Sequence, residues 1–206
     1  MTKFKRIILL LVFIFIITSC QSNQEARRPI SDLSGTFMKK SIARNKKLIT
    51  NEEAQIAYVI KKNPKTKFIS TPKGYWYAYS IINTQDSLTP KKGDVALFDY
   101  EIKDLKGNCI YSQKELGTQV YRVDKQNIMT GLREGIKLMH KKEKVNFLFT
   151  SHLAYGYHGD NKKIGANQPI LCIVTLRDFI PEKAYIEKKI ATIHPNVEQK
   201  KDSLKP

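Results

Sequence analysis

Apolar side chains recur along this chain with more than one period, and each period predicts a different element. From Ser34 to about Asn63 they fall at helical spacing, at Ile42, Leu48, Ile49, Ile56, Tyr58, Val59 and Ile60, and Asn63-Pro64 predicts the stop. Thr50-Asn51-Glu52-Glu53 reads as a helix start within this stretch, with Thr50 as cap and Glu53 as the reciprocal acceptor. From Lys67 the period falls to two. Lys67 to Ser70, with Phe68 and Ile69, and Gly74 to Asn83, with Tyr75, Trp76, Tyr77 and Tyr79, predict short strands. Val95 to Ile102 places Ala96, Phe98, Tyr100 and Ile102 on one face, and Val145, Phe147 and Phe149 repeat the pattern. Between these strands Ile128, Leu132, Ile136 and Met139 predict one helix, with Arg133, Lys137 and His140 facing away. Ile170 to Leu176 is apolar on both faces, as a covered central strand would be.

Strands, one helix, then strands predict an antiparallel sheet with a helix laid across it, in the α+β class. The expected organisation is a helical extension over residues 34–66, a main domain over 67–180 and a charged tail over 181–206, the tail a frayed helix or disordered.

One apolar run has no period. Ile7 to Ile17 is unbroken, follows Lys3, Lys5 and Arg6, and leads into Thr18, Ser19 and Cys20. A run this short spans about 30 Å of hydrocarbon poorly, so residues 1–19 read as an export signal rather than an anchor helix. Ile17-Thr18-Ser19-Cys20 also resembles the bacterial lipobox. That resemblance implies cleavage before Cys20, lipidation of Cys20 and attachment of the mature protein to a membrane through its acyl chains. Residues 20–33 are polar and poor in apolar groups, which predicts a tether. No aspartate follows Cys20, which favours the outer membrane.

A signal of 19 residues would leave 187 of the 206, enough for one core and a small extension. The formal charge of +17 falls to +14 when Lys3, Lys5 and Arg6 are removed. An exported protein does not meet chromosomes or ribosomes, and the lysines are scattered rather than interleaved with stacking aromatics, so nucleic acid is not an expected partner. Besides Cys20 the chain has Cys109 and Cys172, one possible pair and no disulfide framework. His140, His152, His158 and His194 show no metal-ligand spacing, and neither a phosphate loop nor a Gly-x-Ser-x-Gly elbow is present, so no metal or cofactor is expected.

Five blocks carry the chemistry. They are Pro90-x-x-Gly93-Asp94-Val95 with Tyr100; Gly107-x-x-Ile110-x-Ser112; Gly131-Leu132-x-Glu134-Gly135-Ile136-x-x-Met139; Leu153-Ala154-Tyr155-Gly156-x-x-Gly159 with Ile164; and Pro169-Ile170. In order and spacing they resemble FKBP-type peptidyl-prolyl isomerases, from about Gly74 to Ile180. With the lipobox and the helical extension, the chain looks most like the gliding-motility-associated FKBP-type lipoproteins of gliding bacteria.

The resemblance implies a twisted antiparallel sheet wrapped around one short helix, with an apolar pocket between them. It implies isomerisation of X-Pro bonds in proline-containing segments of exported proteins, including motility components. Tyr100, Tyr155 and the backbone N–H of Met129 take the catalytic positions. Ile110, Tyr121, Ile128, Leu132, Ile164 and Cys172 take substrate-binding positions. Leu132 stands where well-known members carry tryptophan, Tyr111 replaces an aspartate, and Cys172 falls where an aromatic is common. These departures leave room for an alternative: a catalytically weak peptide-binding or scaffold lipoprotein on the same fold.

Overall fold

The period-two segments pair into one sheet. The computed structural model describes residues 34–193; the expected signal, the tether with Cys20, and residues 194–206 of the tail lie outside them. The chain divides into two compact units, residues 1–42 and 43–206, and all of the sheet belongs to the second.

Helix α1 (Ser34–Lys62) is followed by β1 (Ile69–Ser70), β2 (Tyr75–Ile81), β3 (Val95–Lys103), β4 (Cys109–Tyr111), α2 (Gln113–Leu116), β5 (Gln119–Arg122), α3 (Thr130–Ile136), β6 (Lys144–Phe149), a 3₁₀ turn (Ser151–Leu153), β7 (Ile170–Ile180) and α4 (Glu182–Ile193). The seven strands lie in the order β1-β2-β6-β7-β3-β4, with β5 also beside β3. Every pairing is antiparallel. Two strands share one edge of β3: β5 pairs with Val95 to Phe98, and β4 with Ile102 and Lys103. Short helix α2 bridges them. Its cap, Ser112, accepts the N–H of Glu115 at 3.2 Å, a Ser-x-x-Glu signal that the surrounding strands conceal.

The predicted central strand is central. β7 runs between β6 and β3, with Ile170, Cys172, Val174 and Leu176 buried on the core face and Leu171, Ile173 and Thr175 half-buried on the other. On that second face Trp76, Leu148 and Leu171 lie in register across three strands, and Leu148 is fully buried.

Helix α3 is shorter than the apolar period suggests. Ile128 and Met129 precede it and Met139 follows it, because the N–H groups of Leu138 and Met139 bond three residues back, to Gly135 and Ile136, and so close the helix. It lies on the rings of Phe147 and Phe149, stacked with centroids 5.5 Å apart. A Cβ on Gly131 would come within 2.6 Å of Phe149, and one on Gly135 within 2.8 Å of Phe147. The match is geometric: four helical residues rise about 6.0 Å, and two strand residues about 6.6 Å.

One expectation changes. No new helix begins at Thr50; α1 runs through it, and the Thr50 hydroxyl donates to the carbonyl of Lys46 at 3.0 Å, as a threonine inside a helix does. The described part of the tail is a helix, α4, whose first N–H is accepted by Asp94 Oδ1 at 3.0 Å while Arg122 pairs with Glu182 at 2.6 Å. Among the described residues no helix is long and apolar enough to cross a membrane. Cys109 is exposed and Cys172 buried, both free thiols.

Candidate functional site

Half-buried side chains border the core, among them Tyr100 from β3, Ile110 and Tyr111 from β4, Ile128 and Met129 from the approach to α3, and Tyr155 from the loop after the 3₁₀ turn. They pack against a buried cluster containing Tyr121, Leu132, Ile164 and Cys172. Strand register explains part of this. Tyr100 faces Val174 and Ile102 faces Cys172, so Tyr100 and Cys172 are diagonal neighbours on the core face. Met129 is the N-cap of α3, and its carbonyl takes the first helical bond from Arg133 N–H at 3.0 Å.

Tyr155 lies near the polar groups of Tyr100, Tyr111, Asp160 and Cys172. Burial pushes its phenol well above the ordinary value of 10.0, and the nearby Tyr100, Cys172, Asp160 and Tyr111 add to the shift. Burial likewise raises Tyr100, with Cys172 contributing. The Cys172 thiol is pushed up by complete burial, so it stays protonated and unreactive. Two neighbouring phenols that keep their protons therefore pack against the core.

The nine predicted residues that lie within the described chain fall into two layers. Tyr100, Ile110, Ile128, Met129 and Tyr155 are half-buried, whereas Tyr121, Leu132, Ile164 and Cys172 are at most 3% exposed. Tyr121 has its hydroxyl committed as acceptor for the N–H of Asp124 at 3.0 Å. Cys20, the predicted lipidation site, lies outside the described residues. A cavity of about 790 Å³ lies elsewhere, between Ala54, Tyr58 and Val59 of α1 and Leu105 of the β3–β4 turn, and none of the predicted site residues lines it. Among the described residues no group of three His, Cys, Asp or Glu side chains converges in a way that could hold a metal ion.

One polar contact at the site was not predicted. The Tyr111 hydroxyl donates to Asp160 Oδ2, and Asp160 Oδ1 accepts the N–H groups of Lys162 at 2.9 Å and Ile164 at 2.8 Å. Lys163 lies over the Tyr111 ring, 4.7 Å from its centroid, and pairs with Glu115 at 2.5 Å. Asp160 carries no motif of its own. The signal that points to it is indirect: the resemblance drawn from the sequence puts an aspartate where this chain has Tyr111, and Asp160 brings a carboxylate to that side chain from a distant loop.

Residues 86–177 match the family model described as FKBP-type peptidyl-prolyl cis-trans isomerase. A curated relative from Neisseria meningitidis serogroup B, described as a probable FKBP-type peptidyl-prolyl cis-trans isomerase, FkpA, is 27% identical over 126 residues. That match covers 61% of this chain and 45% of the relative, so the chain spans less than half the relative's length. The structure is similar to FkpA from Escherichia coli with a TM-score of 0.54 at 22% identity, covering 86% of this chain and 82% of the other. It is also similar to a peptidyl-prolyl cis-trans isomerase from Pseudomonas syringae pv. tomato, with a TM-score of 0.51 at 17% identity, covering 63% of this chain and 92% of the other. At these identities the two structures speak for the fold.

Proposed function

We propose, on the match of residues 86–177 to the FKBP-type peptidyl-prolyl cis-trans isomerase family model, that this chain isomerises X-Pro bonds in exported proteins. The observation that carries the reading is the pair of protonated phenols, Tyr100 and Tyr155, near one another and packed, like Ile128 and Met129, against the apolar core.

Rotation about an X-Pro bond must break amide resonance, against a barrier of about 18 to 20 kcal/mol. No covalent bond is made or broken, so the protein needs no nucleophile. The planar amide is the more dipolar state, and an environment that replaces water around it favours the twisted form. Ile110, Ile128, Met129 and the buried Leu132 supply that environment. Tyr155, whose phenol holds its proton far into the alkaline range, donates to the substrate carbonyl. The N–H of Met129, which α3 leaves without an intrahelical acceptor, holds the substrate backbone while proline turns. Contacts stronger in the twisted state than in the planar one lower the barrier, about tenfold in rate for each 1.4 kcal/mol.

The test is relaxation of a short Xaa-Pro-Phe peptide in a protease-free fluorescence assay. Acceleration proportional to protein concentration and lost in Tyr155→Phe supports the isomerase. No acceleration by a correctly folded chain, with peptide still bound, makes it a binding module, which the leucine at 132 and the cysteine at 172 would suit.

The proposed setting is the cell envelope, with the domain tethered by acyl chains on Cys20 at the outer membrane, facing the periplasm, and motility components among its clients. Cys20→Ser should then abolish palmitate incorporation and release the protein from membranes. Persistence in the membrane fraction would rule out that anchor.

A further inference from the structure

Glu52 is 2% exposed, yet it is a carboxylate on a helix outside the sheet domain's family match. Both its oxygens are spent on one residue 99 positions away. The N–H of Ser151 donates to Oε2 at 2.7 Å, and the Ser151 hydroxyl donates to Oε1 at 2.6 Å. These are the lengths of charge-assisted hydrogen bonds.

Ser151 opens the 3₁₀ turn that leads into Tyr155. Thr150, in the cap position, makes no side-chain capping bond; its hydroxyl meets Nδ1 of His152 at 3.0 Å instead. The cap of this turn therefore comes from α1. The other side of Ser151 faces the site: its carbonyl accepts the N–H of Ala154 at 3.0 Å and of Gly156 at 2.7 Å, the residues immediately before and after Tyr155. Ser151 thus holds both flanks of Tyr155, beside the bonds from Ala154 N–H to the Thr150 carbonyl at 3.2 Å and from Asn167 N–H to the Gly156 carbonyl at 2.9 Å, and Glu52 holds Ser151 by its amide and its side chain. One turn along the same face of α1, Ile56 is fully buried and keeps the helix in place.

A role in packing alone does not account for a carboxylate here. Burying a charge costs more than burying an apolar side chain of the same size, and a leucine would fill the volume without that cost.

We propose that Glu52 is a positioning residue for Tyr155, acting through Ser151, so that the helical extension sets the geometry of the site. The proposal rests on the isomerase reading above. Because misplacing a donor by about 1 Å can cost a hundredfold in rate, its effect belongs in kcat rather than KM.

The experiment uses the full chain purified in detergent, comparing wild type with Glu52→Ala, Glu52→Gln and Ser151→Ala. It measures kcat and KM on the Xaa-Pro-Phe peptide, and amide hydrogen exchange at Ala154 and Gly156. Glu52→Ala should lower kcat about tenfold with KM nearly unchanged, and speed exchange at Ala154 and Gly156 while the β6 and β7 amides keep their protection. Glu52→Gln keeps an acceptor for the Ser151 N–H and should recover much of kcat. Should Glu52→Ala not fold, Ser151→Ala removes only the hydroxyl arm and should give a smaller fall in kcat at the same KM. Faster exchange with unchanged kcat overturns the proposal, as does unchanged exchange. If the wild-type chain turns over no peptide, the isomerase reading fails. Exchange at Ala154 and Gly156 then decides the anchoring alone, faster rates upholding it and unchanged rates overturning it.

Discussion

Tyr111 on β4 and Asp160, 49 residues further along in the loop after Tyr155, are joined by a hydrogen bond from phenol to carboxylate. The bond ties an edge strand to the loop that follows Tyr155. Burial opposes ionisation of Asp160, but the Tyr111 hydroxyl and the N–H groups of Ile164, Lys162 and Lys163 outweigh it and bring the carboxyl down to about 2.

That shift has a pH signature. The folded value lies below the ordinary 3.8, so the stabilisation is complete above 3.8 and is lost as pH falls through about 2. Urea midpoints of wild type and Asp160→Asn should differ most near neutral pH and converge toward about pH 2. A gap that stays constant over that range would mean that the carboxylate is not what stabilises the loop.

Tyr155 gives a second pH test, at the other end of the scale. Its phenol is raised above 10.0, so a turnover that depends on its proton should persist as pH rises through 10.0. Ultraviolet titration of wild type against Tyr155→Phe should show the missing phenol ionising later than an ordinary tyrosine. A fall in kcat centred at 10.0 would contradict the burial of this group.

The contact between α3 and the phenylalanine pair predicts an inverted helix-propensity effect. Alanine is favoured over glycine inside a helix by about 1 kcal/mol, but here a Cβ meets rings that are fully buried. Overpacking costs about 1 to 3 kcal/mol, so Gly131→Ala and Gly135→Ala should each destabilise. Denaturant midpoints check this, and Phe147→Leu should relieve Gly135→Ala, the double variant falling short of the sum.

The two cysteines within the described chain should separate cleanly by reactivity. Cys109 is exposed, and Cys172 is buried with its thiol pushed up by desolvation. A thiol reagent should label Cys109 in the native protein and Cys172 only after unfolding, as read by peptide mass. Native labelling of Cys172 would mean that the site floor opens.

Much of the sheet was legible because a strand buries one face and its side chains alternate with a period of two. Ala96, Phe98 and Ile102, and Val145, Phe147 and Phe149, declare their core face by spacing alone, and all six are buried. The motif blocks picked out Tyr100, Ile128, Met129 and Tyr155, each of which packs half-buried against the core. Helix ends were less legible. Thr50 has the composition of a cap yet lies inside α1, since a hydroxyl can bond the preceding turn as well as an exposed N–H.

Pairings between distant residues were decided by the tertiary structure alone. Nothing local marks Glu52 for Ser151 or Tyr111 for Asp160, because a carboxylate's partner is chosen by which segments the fold brings within 3 Å, and that depends on the whole sheet. Sequence by itself determined the period of each element, the face it buries and the family model that residues 86–177 match. The fold determined which polar groups meet once those faces are buried, because only burial makes an unpaired polar group costly enough to select its partner.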